Sequence, residues 1–123
     1  MLLLIAASLM FFAGVAHSYL GERYILTRLF QRDGLPKLFG GTAFTTGTLR
    51  FAWHLTTVVW WGLAYLTVVA AYGNISRDQF LLVMGVISLV SAAFPLYFTR
   101  GKHLSWLVFL LVGVLVLTAR GTP

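Results

Sequence analysis

The chain holds 123 residues, 59% of them hydrophobic and only 10% charged; nine Lys or Arg against three Asp or Glu give a formal net charge of +6. A water-soluble domain of this size needs far more polar residues to cover its surface, so the solvent for most of the chain must be lipid. Cysteine is absent, which excludes disulfides, iron–sulfur clusters and thiolate metal sites.

Four apolar runs follow one another: about 2–20, 49–72, 80–98 and 104–119. Each is close to the roughly 20 residues a helix needs to cross the hydrocarbon core, and the fourth is the shortest. Continuous apolar runs without strand-like alternation predict helices rather than a barrel. The first run resembles a signal peptide only loosely. Gly14-Val15-Ala16 suits a cleavage site, but no Lys or Arg precedes the run and Glu22-Arg23 follows it, so a retained signal anchor is expected.

After the first run, Glu22 to Gln31 continues a helical pattern, with Tyr24, Ile25, Leu29 and Phe30 apolar and Arg23, Arg28 and Arg32 charged. This predicts an interfacial extension of the first helix. Asp33-Gly34 and Pro36 end it, and Gly40-Gly41 adds a hinge. Tyr72-Gly73-Asn74 closes the second helix, Ser76 with Gln79 forms a capping box for the third, and Thr99 to Lys102 is a short turn before the fourth. The expectation is one all-α membrane domain over 1–123, a four-transmembrane-helix up-down-up-down bundle.

Lys and Arg bias predicts its orientation. Arg23, Arg28, Arg32, Lys37, Arg50, Arg100 and Lys102 lie at one end, and Arg77 and Arg120 at the other. By the positive-inside rule both termini lie outside the cytoplasm, in a bacterial inner membrane, with the basic end against anionic lipid headgroups. Nucleic acid is not an expected partner, because the basic residues flank spans and form no separate domain.

Small residues mark the faces that pack. On the first helix these are Ala6, Ala13, Gly14 and Gly21, with His17 among them; on the third they are Gly85, Ser88, Ser91 and Ala92, ahead of a kink at Pro95. On the second helix, Arg50, His54, Thr57, Trp61 and Tyr65 follow at helical steps as a polar and aromatic stripe. Trp53 and Trp106 suit an interfacial belt, whereas Trp60 and Trp61, nearer mid-membrane, suit packing against a helix or a planar ligand.

His17 lies five residues before Glu22, and His54 four after Arg50, depths of about 7 and 6 Å at 1.5 Å per residue. The two can meet at one level if their helices are neighbours, with His103 shallower. Ionisable residues at membrane depth are functional candidates, although a carbonyl-bonded histidine and a snorkelling Arg50 are the plainer reading.

Two cofactor chemistries follow from that placement. Haem b would take His17 and His54 as axial ligands, with Gly14 and Gly21 leaving room for the ring, Trp61 or Trp106 flanking it, and Arg23 or Arg50 on the propionates. A transition-metal centre would draw on His17, His54, His103 and Glu22, although no paired ligand motif is present. Glu22 is alternatively an ion-pair partner of Arg23 or Arg50.

A small transporter is a further class, but all three acids, Glu22, Asp33 and Asp78, lie at or beyond span ends, which disfavours proton-coupled antiport. Nucleophilic catalysis has little support, since Ser18 and His17 are neighbours in sequence and do not face each other. The leading expectation is a non-enzymatic accessory or scaffold subunit with an inner-leaflet histidine site, partnered by lipid and by another membrane protein or a second copy of itself.

Overall fold

A computed structural model describes residues 1–122 of the chain. Its elements are α1 (Leu2–Leu20), a π-helical turn (Gly21–Leu26), α2 (Thr27–Phe30), α3 (Ala43–Tyr72), α4 (Arg77–Phe98) and α5 (Ser105–Thr118), closed by a 3-10 turn (Ala119–Gly121). Among the described residues there is no strand, only a single bridge between Leu38 and Gly41.

Three helical stretches are long and apolar enough to cross a membrane: Leu2–Phe30, Ala43–Tyr72 and Arg77–Phe98. The first joins α1, the π turn and α2 into one 29-residue rod, so the extension expected after the first run is helical. Its Thr27 N–H bonds back five residues to the Glu22 carbonyl, which marks the π register. The second helix starts at Ala43, ahead of its apolar run, because nothing in Ala43–Leu49 breaks a helix. The fourth apolar segment, Ser105–Gly121, is shorter. Its regular part, 14 residues, covers only roughly 21 Å against a core of about 30 Å.

Each long helix packs antiparallel on the preceding one. Gly14 of α1 faces Trp61 of α3 while Gly21 faces Trp53; on the other side Gly47 meets the α4 end at Phe98 and Gly62 meets Ile87. Gly85 of α4 faces Leu117 of α5, and Gly113 faces Leu89. Small residues at these crossings let the backbones approach, which is how helices associate when lipid removes the hydrophobic drive.

The series stays open. Among the described residues no extended packing joins α1 to α4 or α5, the contact that would close a four-helix bundle. Most large apolar side chains of α1 and α5 face outward as a result.

The contact strip anticipated on the third apolar run is present, with Gly85, Ser88, Ser91 and Ala92 all buried and Pro95 beside them. Along the first rod the buried small residues are Ala7 and Gly14 of α1 and Gly21 of the π turn, while Ala13 is exposed. The Ser76–Gln79 capping box is complete in both directions, with bonds of 3.1 and 3.0 Å. At the same end Arg120 clamps Asp78 with two bonds of 2.8 and 2.7 Å. Arg77 covers the terminal carbonyls of Ala119 and Thr122, where a cation suits the negative end of a helix.

Candidate functional site

The polar side chains of the spans concentrate at the α1–α3 seam, and helical geometry explains why. Gly14, Ser18 and Glu22 repeat every four residues on one side of α1; Arg50, His54, Thr57 and Trp61 repeat every three or four on α3. Antiparallel packing sets these two stripes face to face.

Glu22 receives Arg50 through both carboxylate oxygens, Nη2 to Oε1 at 2.7 Å and Nε to Oε2 at 3.1 Å. This bidentate fork is the strong form of the pair. The same Oε2 lies 3.2 Å from His54 Nε2. His54 Nδ1 lies 2.8 Å from Ser18 Oγ, which lies 2.7 Å from Thr57 Oγ1, and Thr57 donates to the Gly14 carbonyl at 3.2 Å. One hydrogen-bond chain therefore runs Arg50–Glu22–His54–Ser18–Thr57.

Its proton roles follow from the end groups. Glu22 as carboxylate only accepts, so His54 Nε2 carries a proton. With neutral His54, Nδ1 accepts from Ser18 and Thr57 donates to Ser18 or to Gly14. With His54 doubly protonated, Nδ1 donates to Ser18, Ser18 to Thr57 and Thr57 to Gly14. Every member is satisfied in both states, with the hydroxyl bonds reversed.

His17 belongs to a separate set on the opposite flank of the seam. Its Nε2 lies 3.2 Å from the Trp53 carbonyl and 3.0 Å from Thr56 Oγ1, whose own hydroxyl donates to that carbonyl at 2.7 Å. A carbonyl only accepts, so Nε2 carries the proton. The His17 ring stacks on the Trp53 indole at 4.6 Å and 5°.

Two indoles bolt the seam. Trp53 Nε1 donates to the His17 carbonyl at 3.0 Å and Trp61 Nε1 to the Phe11 carbonyl at 3.2 Å. Each indole lies over a glycine of the first rod. A Cβ on Gly14 would come within 2.8 Å of Trp61 Nε1, and one on Gly21 would overlap the Trp53 ring. The room that Gly14 and Gly21 were expected to leave for a haem ring is thus filled by Trp61 and Trp53.

His103 stands apart. Its Nδ1 pairs with Ser105 Oγ at 2.8 Å, and its ring lies against Phe44 and Phe51. Among the described residues no three His, Asp or Glu gather closely enough to hold a metal ion. His17, His54, His103 and Glu22 do not form one cluster, and only His54 and Glu22 touch. Trp61 sits beside the chain, while Trp106 donates to the Gly101 carbonyl at 3.2 Å and Trp60 is exposed.

An open groove of about 480 Å³ runs along the seam, lined by Ser18, Glu22, Arg23 and His54 together with Val15, Tyr19 and Trp61. Arg23 turns back to Tyr19 Oη at 3.0 Å and leaves Glu22 to Arg50. Thr57 is only 4% exposed beneath α1, whereas Trp61, one turn on, lines the groove and is 42% exposed.

Ser18, Thr56 and the packing role of Trp53 escape a reading of the sequence alone. Ser18 carried a signal, its four-residue spacing from both Gly14 and Glu22. Comparison of the chain with protein-family models, curated proteins and solved structures finds no match.

Proposed function

We propose that this protein is a small integral membrane subunit without catalytic activity of its own, acting as an accessory or scaffold. In this reading α1 and α3 form a tightly joined pair, and the outward faces of α1 and α5 meet lipid or a membrane-protein partner. The observation that carries the reading is how the polar groups are used. Both nitrogens of His54, both oxygens of Glu22 and the hydroxyls of Ser18 and Thr57 are committed to one another. In lipid such groups must find partners inside the protein, and a chain closed on itself is a joint before it is a reaction centre.

The positive-inside bias orients the proposal. The Glu22–Arg50 end faces the cytoplasm, both termini lie outside, and α5 serves as a short fourth span in an up-down arrangement. An alkaline phosphatase fused after Gly121 should then be active, and one fused within 34–41 inactive.

Ser18, His54 and Glu22 are connected in the order of a hydrolase triad, yet the geometry disfavours acyl transfer. Here α1 and α3 pass as helices whose amides serve their own carbonyls, so none is offered to a developing oxyanion. A bis-histidine haem needs a free nitrogen lone pair from each ring. Both nitrogens of His54 are taken, Nδ1 by Ser18 and Nε2 by Glu22, while His17 Nε2 is a donor to the Trp53 carbonyl and leaves that ring only Nδ1.

The test is elemental analysis and absorption spectroscopy on gently purified protein from a metal- and haem-replete host, beside His17→Ala/His54→Ala. The expected result is no stoichiometric metal and no Soret band in either. Near-stoichiometric iron or zinc, lost in the variant, would overturn the proposal. So would covalent labelling of Ser18 by a fluorophosphonate.

A further inference from the structure

A second cavity lies on the other side of Arg50, where the start of α3 meets the turn between α4 and α5. It measures about 320 Å³ and is lined by Thr46, Gly47, Arg50, Phe98, Thr99, Arg100 and Lys102 together with Ala43 and Phe44. That is room for about ten waters by liquid volume. Three of its lining residues are cations and none is acidic.

The charge there is largely uncompensated. Of the three acids in the chain, Asp78 is clamped by Arg120, Glu22 pairs with Arg50 through Nε and Nη2, and Asp33 neither lines the cavity nor enters a salt bridge among the described residues. The Nη1 of Arg50 takes no part in either contact, so its guanidinium can serve Glu22 on one edge and the cavity on another. Arg100 and Lys102 appear in no salt bridge among the described residues. Lys102 instead rests its ammonium over the Phe39 ring at 5.5 Å.

The turn that supplies these cations is unusual. Arg100 has φ of 53° and Gly101 of 77°. The left-handed region suits glycine and costs any residue with a Cβ. Arginine occupies a position that glycine would fill at lower energy, and backbone strain of this kind concentrates at ligand sites.

From these observations we infer that Thr46, Arg50, Arg100 and Lys102 form a binding site for a phosphate ester, supplied by the headgroup of an anionic membrane lipid. The chemistry suits it. Arginine and lysine take phosphate oxygens; the Thr46 hydroxyl, which donates to the Ala43 carbonyl at 3.1 Å, would turn from it to donate to the ester; and Phe44 and Phe98 give the glycerol and first acyl carbons an apolar wall. A lipid is favoured over a soluble phosphate because the cavity opens at the end of two apolar helices, where headgroups lie. The proposal rests on the membrane reading but not on the accessory role.

The experiment is native mass spectrometry of the full-length protein released from nanodiscs of phosphatidylglycerol and phosphatidylcholine in equal parts. Wild type should retain phosphatidylglycerol selectively. Arg100→Gln/Lys102→Gln should lower that selectivity roughly thirty-fold, about five-fold for each charge near the surface. Arg32→Gln/Lys37→Gln removes two charges at the same end of the molecule that line no part of the cavity, and should lower it by clearly less. Equal losses in the two pairs would overturn the site in favour of diffuse surface charge. Arg100→Gly relieves the backbone and should hold or raise the unfolding midpoint while selectivity falls; unchanged selectivity would overturn the proposal. Glycerol phosphate added to detergent-solubilised protein should not displace the lipid. Displacement at millimolar concentration would overturn the lipid as its source. Loss of membrane insertion in the wild type would instead defeat the membrane reading beneath it.

Discussion

The two outer seams of this protein are built on glycine but joined by different forces. At α1–α3, Gly14 and Gly21 receive indoles that hydrogen-bond the facing backbone, and a polar chain from Arg50 to Thr57 lies between them. At α4–α5, Gly85 and Gly113 receive the aliphatic side chains of Leu117 and Leu89, and the side-chain hydrogen bonds lie at the two ends, where Asp78 and Arg77 meet the last turn and where Trp106 donates to the Gly101 carbonyl. The first seam is specified by direction as well as shape, the second by shape alone. A leucine can rotate to accommodate an intruding methyl, whereas an indole held at its N–H has few alternative positions.

The sharpest way to break the comparison is one substitution made at both seams. Gly21→Ala should cost about 2–3 kcal/mol, the overpacking range, because the Trp53 ring cannot yield without losing its bond. Gly85→Ala should cost under about 1 kcal/mol, since every atom it would meet belongs to the Leu117 side chain, which can turn away. Reversible unfolding in mixed micelles would measure both, and equal costs would erase the distinction.

Next in size is the ion pair. Glu22 and Arg50 side chains are 35% and 33% exposed, so the full cost of a buried broken pair does not apply. Glu22→Gln should destabilise by about 1–2 kcal/mol, and a double-mutant cycle with Arg50→Gln should return a coupling of about 1 kcal/mol.

Ser18→Ala removes the link between His54 and Thr57 and should cost about 1 kcal/mol. It should also change the His54 ring-nitrogen shifts in 15N NMR while leaving those of His17 in place, because the two rings belong to separate hydrogen-bond sets. Smallest is Arg120→Gln at the exposed α5 end, which should leave the unfolding midpoint unchanged within error. Its pair with Asp78 is solvent-screened.

Much of the architecture was legible in the residues themselves. The apolar runs located the helices, Ser76 and Gln79 announced their capping box, and the Gly85–Ala92 strip marked a buried face, because each is a local pattern with a local cause. The polar stripe on α3 was visible for the same reason, and its spacing put Arg50, His54, Thr57 and Trp61 on one side. The partners of that stripe were harder to see. His17 and His54 share a depth, and depth alone pairs them. Rotation about α1 decides otherwise: one residue is a turn of 100°, which carries His17 to one flank and Ser18 to the other.

Composition, periodicity and charge placement thus determined by themselves that this is a helical, membrane-type chain, where its helices lie and which end is basic. These follow from how each residue meets its solvent and its own backbone, and no long-range contact is needed. Tertiary structure alone decided that Trp53 and Trp61 occupy the space over Gly21 and Gly14, that Glu22 chooses Arg50 over Arg23, and that Ser18 rather than His17 meets His54. Those choices depend on the register and rotation of one helix against another. Such quantities are set by close packing across the seam and lie beyond the reach of any pattern within a single helix.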